Sequence, residues 1–524
     1  MLTPPRPSTR VPLLPLFAIA CLSAGYLFLF ARILWRVGDE GTIVYGAIRV
    51  ARGEVPYRDF FEVMGPGSFY WLAGWFEIFG TSWFALRAHL LLTWVAISVS
   101  IYYLTRRAYQ GHVAVLPCAL YTLVAMPLWP ASSHHWDSVL FALMTVVCVV
   151  QWQTTRRAAW LVAAGSLAAI TTSIIPLKGA ALLAAACSIV VASKYRAGFS
   201  PIGRQPLWLV GSYACVLASI GLWFYSSNAL DDFVYATVVW PSTEYSTLNR
   251  VSYGLATLGA SLGIVARVLP ATDPLLLYAT TICFIPLAAI ALLPPMAIGL
   301  LIRAGLHTLR DVLAVDGAVG PYLLMGLAMW VSELHRPDIY HLIWGSPLLL
   351  IAVFALATRL LPPKPQVVIL SVLSVAVLVT GGFSVLRTVS AREVIATRRG
   401  PVHVDKPDPA LEFVLQHVSA NAPLFVYPYY PMYYYLADVR APSRYSILVP
   451  NYNTPAQFAE VVEELVRAKV EFVLWDTLVS GENLTRWFPG YSHPPDFPLE
   501  DYLVRNYDEI GVANGFRILR RKGE

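Results

Sequence analysis

Apolar residues gather along this chain in long unbroken stretches rather than in short alternating ones. A helix needs about 20 apolar residues to cross about 30 Å of hydrocarbon. Eleven stretches approach that length, at 11–34, 84–104, 111–128, 138–154, 158–176, 179–193, 207–226, 275–302, 317–333, 342–358 and 366–383. Several are short or flanked by proline, which neighbouring helices in a bundle tolerate. The first is long for the apolar part of a secretory signal, and no clear small-x-small cleavage site precedes the next polar segment. The pattern predicts a mainly α fold: a polytopic transmembrane helix bundle of about eleven spans over residues 1–383, followed by a small C-terminal extracytoplasmic α/β domain over 384–524.

Basic residues set the expected orientation. Arg6 and Arg10 precede the first span, and Arg106–Arg107, Arg156–Arg157, Lys194/Arg196/Arg204, Arg303/Arg310 and Arg359/Lys364 sit at every second boundary after it. The positive-inside rule places these boundaries and the N-terminus in the cytoplasm. The other side then receives 35–83, 129–137, 176–178, 227–274, 334–341 and 384–524. A multi-pass protein of the cell membrane, of the bacterial inner-membrane kind, is the expected setting.

The first of these outer segments is too long for a turn. Residues 41–52 and 68–80 carry apolar stripes at helical spacing and read as amphipathic helices lying in the membrane interface. Trp71, Trp75 and Phe76 suit the headgroup zone. Residues 251–268 read as another such helix, so 251–302 holds either one crossing or a crossing plus an interfacial helix. After about residue 390 charged residues return. Residues 423–427 and 470–475 read as buried strands, and 455–468 as an amphipathic helix opened by Thr454 and Pro455.

Composition agrees. Of 524 residues, 57% are hydrophobic and 13% charged, with a mean hydropathy of +0.58. A single soluble core does not absorb that much apolar surface, because cores stop growing near roughly 250–300 residues. The net charge of +6 is accounted for by basic cytoplasmic loops, and no nucleic-acid-binding module is present in the sequence. The six cysteines, Cys21, Cys118, Cys148, Cys187, Cys215 and Cys283, all lie in apolar segments and form no CxxC pair. That argues against a disulfide framework in the tail and against a cysteine metal site.

Ionisable residues near membrane depth are costly, so their placement is informative. Five clusters fall on the outer side by this topology. Asp39-Glu40 follows the first span and supplies carboxylates that could act as a general base, or could simply end a helix in solvent. Tyr57-Arg58-Asp59 with Glu62 lies between the two amphipathic helices and suits a structural ion pair or a substrate contact. His134-His135-Trp136-Asp137 offers two imidazoles and a carboxylate for a divalent metal, an anionic group or a plain helix cap. Adjacent histidines do not share a helix face, which weighs against one metal taking all three. Lys178 either snorkels or pairs with a phosphate as a point charge. His335-Arg336-Pro337-Asp338 with Tyr340-His341 offers Arg336 as a bidentate phosphate fork, or an Arg336–Asp338 ion pair.

The order of these features resembles a known family. The resemblance rests on Gly-Glu-Val-Pro-Tyr-Arg-Asp-Phe (53–60), Gly-Pro-Gly-Ser-Phe-Tyr-Trp-Leu (65–72), Ser-His-His-Trp-Asp (133–137), the Lys178 site, Arg-Pro-Asp-Ile-Tyr-His (336–341), and Tyr433 to Asp438 with Pro442 and Arg444. The chain resembles the GT-C superfamily of integral membrane glycosyltransferases, of the protein O-mannosyltransferase and bacterial aminoarabinose transferase types. The resemblance implies an inverting transfer from a sugar on a polyprenyl phosphate to a lipid, glycan or protein of the cell envelope, on the extracytoplasmic face. It implies Asp39 as the base with Glu40 as alternate or helper. It implies Lys178 and Arg336 as holders of the donor phosphate, with Arg58, His135, Asp137, Asp338 and His341 as further substrate contacts. Metal use varies in that family, so a divalent metal is an open expectation. Val-Met-Gly-Pro-Gly (63–67) departs from the aminoarabinose transferases, which have an acidic and basic pattern near Lys-Pro-Pro there, and a lipid A acceptor does not follow.

The competing expectation is a transporter or flippase for a lipid-linked substrate. Transporters place their polar groups at mid-membrane in broken helices with repeat symmetry. The middles of these stretches are nearly free of charge, and no internal repeat is evident.

Overall fold

The computed structural model describes residues 11–35, 38–109, 111–195, 204–245, 251–268, 274–305, 319–389, 391–449, 452–480, 483, 485 and 498–523. Six described helices are long and apolar enough to cross a membrane: Leu13–Ala31, Trp83–Ala108, His134–Thr155, Pro176–Ser193, Gln205–Ser226 and Pro363–Leu386. Two further expected spans are bent pairs. Tyr278–Ala291 and Leu293–Arg303 meet at 61°, and Ile339–Gly345 and Pro347–Leu360 meet at 70°. The remaining three are shorter apolar helices at Val113–Leu128, Ala158–Ile174 and Gly320–Ser332. Every apolar stretch read from the sequence is thus helical, but not every one is a straight membrane-length rod. Gly254–Val268 is a helix of its own, separate from the bent pair that follows it.

The breaks have local causes. Pro294 and Pro295 open the second half of one bent pair, and Pro347 opens the second half of the other. A proline lacks the amide that would continue the preceding helix, and it disfavours helical backbone in the residue before it. Val113–Leu128 passes through 3-10, α and π turns, with Pro117 and Pro127 inside it.

The segment between the first two spans folds into two helices, Gly38–Ala51 and Gly67–Phe79. Their existence follows the sequence pattern, but the interfacial setting expected for the first is corrected. Gly38–Ala51 is buried from Glu40 to Arg49, because the C-terminal region lies over it. Val44 and Ile48 share one core with Val426, Tyr434, Leu436 and Leu474 of that region. Gly41 permits the contact, since a Cβ there would lie 2.2 Å from the Met432 backbone nitrogen. Trp71 of the second helix is exposed, while Phe76 is buried.

The C-terminal region opens with the hairpin β1 (Glu393–Thr397) and β2 (Gly400–Val404). It continues with β3 (Phe425–Tyr427), β4 (Phe472–Asp476), β5 (Tyr507–Ala513) and β6 (Phe516–Arg521), which form one sheet in the order β3-β4-β6-β5. β3 and β4 are parallel and need a crossover, which the helix Pro455–Ala468 supplies. That helix starts at Thr454 in a capping box with Gln457, so two otherwise orphaned amides are satisfied at its first turn. Backbone bonds tie the tail to the first loop: Leu34 donates to the His403 carbonyl at 2.8 Å, and Phe61 to the Arg444 carbonyl at 3.0 Å.

Candidate active site

Asp39 and Glu40 stand in the first turn of Gly38–Ala51, where the helix dipole favours negative charge. Being adjacent, they point about 100° apart around the helix and meet different surroundings. Glu40 is fully buried. Its carboxylate meets Arg87 through both oxygens, at 2.8 and 2.9 Å, and accepts the Ser132 amide at 2.7 Å. The Arg87 guanidinium lies 3.7 Å from the centre of the Trp83 ring. Glu40 therefore cross-links the first-loop helix, the helix Trp83–Ala108 and the segment before His134.

Asp39 is half-buried at the seam between the first loop and the tail. One carboxylate oxygen accepts the hydroxyl of Tyr429 from the tail. Among the described residues no hydrogen bond reaches its other oxygen. Burial, and then the Asp39 charge, push the Tyr429 hydroxyl well above the ordinary tyrosine range, so it donates rather than ionises. Glu62 adds a second carboxyl here, buried and accepting the Ser446 hydroxyl. Burial pushes Glu62 up to about 8; the Ser446 bond and Arg49 oppose the rise, and Asp39 adds to it.

A second cluster forms around Glu333, which the sequence reading missed. Its carboxylate is fully buried and lies 2.6 Å from Lys178 Nζ, itself fully buried. Lys178 also donates to Ser138 Oγ at 2.8 Å. His135 Nδ1 lies 3.7 Å from the other Glu333 oxygen, and its ring stacks on Trp344 at 3.8 Å. His341 packs edge-on to both His135 and His335. Asp338 caps the helix Ile339–Gly345, contacts His341 Nδ1 at 2.9 Å and accepts Arg336 Nε at 2.9 Å. The visible signal for Glu333 was an acidic residue closing an otherwise apolar stretch, the kind of position where a charge needs a partner.

The structure thus brings Lys178, His135, Arg336, Asp338 and His341 together around Glu333, and places Asp39 and Glu40 in a neighbouring group. The segment 132–137 joins the two, with Ser132 bonded to Glu40 and His135 facing Glu333. His135 and Asp137, two apart in the first helical turn, diverge by about 200°. Asp137 turns toward the first loop, where Ser68 Oγ donates to it at 2.7 Å. A cavity with room for about one water lies beside it, lined by His89, Thr93, Ser132 and Asp137. Arg58 lies apart from both groups. It pairs with Asp59 at 2.8 Å and donates to the Ser227 carbonyl at 2.6 Å, pinning the first loop to the end of Gln205–Ser226.

The tail motif of the resemblance also docks on the first loop. Tyr433, Tyr434 and Tyr435 are buried, Asp438 pairs with Arg399 and Arg52, and Arg444 donates to the Tyr57 carbonyl at 2.6 Å.

No protein-family model matches the chain, and no curated protein does. Among solved structures, the chain is similar to the Archaeoglobus fulgidus oligosaccharyltransferase crystallised with a tethered acceptor peptide, at 13% identity over 97% of this chain and 74% of that one, with a TM-score of 0.47. It is similar to ArnT from Cupriavidus metallidurans bound to undecaprenyl phosphate, at 13% identity over 97% of each chain, with a TM-score of 0.44. It is also similar to arabinosyltransferase EmbB from Mycobacterium smegmatis, at 15% identity over 74% of this chain and 42% of that one, with a TM-score of 0.43. These likenesses are distant in sequence and loose in superposition, and the functional reading rests on the residues of the site itself.

Proposed function

We propose that this chain is an inverting glycosyltransferase that moves a sugar from a polyprenyl-phosphate donor to an acceptor hydroxyl or amine of the cell envelope, on the extracytoplasmic face. The observation that carries the reading is the setting of Asp39. It is a half-buried carboxylate at the seam of bundle and tail, oriented through one oxygen by Tyr429. Such a group suits a general base. The acceptor X–H gives its proton to the second Asp39 oxygen as X attacks the anomeric carbon. The bond from that carbon to the donor phosphate oxygen breaks, and polyprenyl phosphate leaves with the electron pair.

A phosphate leaving group requires charge stabilisation more than acid help, and preorganised cations provide it. Arg336, with its side chain 24% exposed, is the cation of the Glu333 cluster nearest to solvent. We assign it to the donor phosphate. Lys178 is wholly buried against Glu333, and in this reading it fixes the charge and position of the histidine cluster. Glu40 acts through structure, holding the Asp39 helix to Arg87. Were the reaction to use a divalent metal, Glu333, His335 and His341 would hold it, since each presents a ligand atom and the three atoms lie within 4.8 Å of one another.

The test is mass spectrometry of envelope lipids, glycans and glycoproteins from cells with and without the gene. The expected result is loss of one sugar from one acceptor class, with its polyprenyl-phosphate donor accumulating. Unchanged envelope sugars and donor pools contradict the reading.

A further inference from the structure

The two bent spans differ in how their breaks are closed. In a straight helix the Ala291 carbonyl would accept the amide four residues on, but that residue is Pro295 and has none. Ala291 is buried, so water does not replace the missing donor. The Tyr253 hydroxyl does, at 2.6 Å, from the residue just before the helix Gly254–Val268. At the other break Pro347 likewise deprives the Ile343 carbonyl of a donor. There Ser346 supplies its amide at 3.1 Å and its hydroxyl at 2.7 Å, and Tyr121 adds a third donor at 3.1 Å. That break is closed by its own segment, whereas the one at Ala291 borrows its donor from another helix.

The next residue reaches the other way. The Gly254 amide, one of the donors a helix start leaves without an internal partner, bonds the Pro337 carbonyl at 2.7 Å. Pro337 lies between Arg336 and Asp338, whose side chains pair at 2.9 Å. The approach is close. A Cβ on Gly254 would stand 2.8 Å from Leu342 Cδ1 and 3.2 Å from the Ile339 backbone nitrogen. Ile290, Ala291, Ile339 and Leu342 share one apolar core, with Tyr253 packed against it. Tyr253 and Gly254 therefore form a strut. One end grips the proline break, and the other grips the turn that carries Arg336.

We propose that Tyr253 is a positioning residue for the donor phosphate, acting through Gly254 and Pro337 on Arg336. This role rests on the proposed function, in which Arg336 holds that phosphate. A guanidinium fork matches a phosphate only when its plane and distance are set. Without the Tyr253 hydroxyl the Ala291 carbonyl is buried and unpaired. The strut then shifts to relieve it, and the Arg336 turn moves with the strut.

The experiment is equilibrium binding of radiolabelled undecaprenyl phosphate to the purified full-length protein in detergent, with undecaprenol as the uncharged comparison. Wild type is expected to prefer the phosphate, and Arg336→Gln to lose that preference. Tyr253→Phe weakens phosphate binding about 5- to 10-fold and leaves undecaprenol binding unchanged. Gly254→Ala, which crowds the Ile339 backbone, weakens phosphate binding in the same way. In the Arg336→Gln background Tyr253→Phe has no further effect, because it acts through that residue. Three results overturn the positioning role alone: phosphate binding by Tyr253→Phe at the wild-type level, equal loss of phosphate and undecaprenol, or losses that multiply in the double variant. Where Tyr253→Phe fails to fold, Gly254→Ala decides by the same three results. A wild-type protein that does not distinguish the phosphate from the alcohol, or an Arg336→Gln variant that binds like wild type, overturns the reading of Arg336 and the strut with it.

Discussion

Glu40 and Asp39 show how far two adjacent carboxylates can differ. Glu40 is buried in a two-oxygen pairing with Arg87, and removing one partner leaves an uncompensated buried charge. Glu40→Gln is expected to cost about 3–5 kcal/mol, seen as a lower thermal midpoint in detergent, and a midpoint equal to wild type would refute the cross-link. Glu62 behaves oppositely. Its folded-state pKa is raised, so its contribution to stability is fully present below its unfolded value of 4.5 and is lost as pH rises through about 8. Glu62→Gln should therefore gain midpoint relative to wild type on going from pH 5 to pH 9. A constant difference across that range would show that Glu62 does not titrate there. The sequence marked Glu62 and Asp39 as members of separate clusters. Only the fold brings them near each other, with Ser446 reaching Glu62 and Tyr429 reaching Asp39 from almost 400 positions along the chain.

At the scale of elements, hydropathy located the helices well and their shapes less well. Residues 275–302 and 342–358 read as single spans, yet each bends sharply at a proline. A window average over 20 residues cannot register a missing amide. The helix at 41–52 was legible from its period, but its burial was not, since the covering surface comes from Met432 and its neighbours. The strand-helix-strand order at 423–475 was legible because Thr454, Pro455 and Gln457 form a local start signal. The close approach at Gly41 yields a prediction at this scale. Gly41→Val drives a side chain into the Met432 backbone, a cost of about 1–3 kcal/mol, and should speed protease cleavage of the tail. Gly74→Ala, which meets nothing within 4 Å, should not. Equal cleavage rates for the two variants would show that the tail does not depend on this contact.

For the whole molecule, the bundle and the tail form one device. The first loop shares a core with the tail, and the tail contributes Tyr429 to Asp39. The Glu333 cluster sits on the bundle side of the same region, joined through residues 132–137. Its convergence was partly visible, since Lys178, His135 and Arg336 all fall in segments assigned to one side. Its organising residue was not, because Glu333 ends an apolar stretch and its partner Lys178 is 155 positions away in the chain. The central claim is that Asp39 takes the proton of the acceptor. It is tested most directly by supplying purified protein with a radiolabelled polyprenyl-phosphate sugar and envelope extract, and comparing wild type with Asp39→Asn. The account predicts a fall in transfer rate of at least about 100-fold, with membrane insertion and donor binding retained. Transfer by Asp39→Asn at the wild-type rate would contradict it.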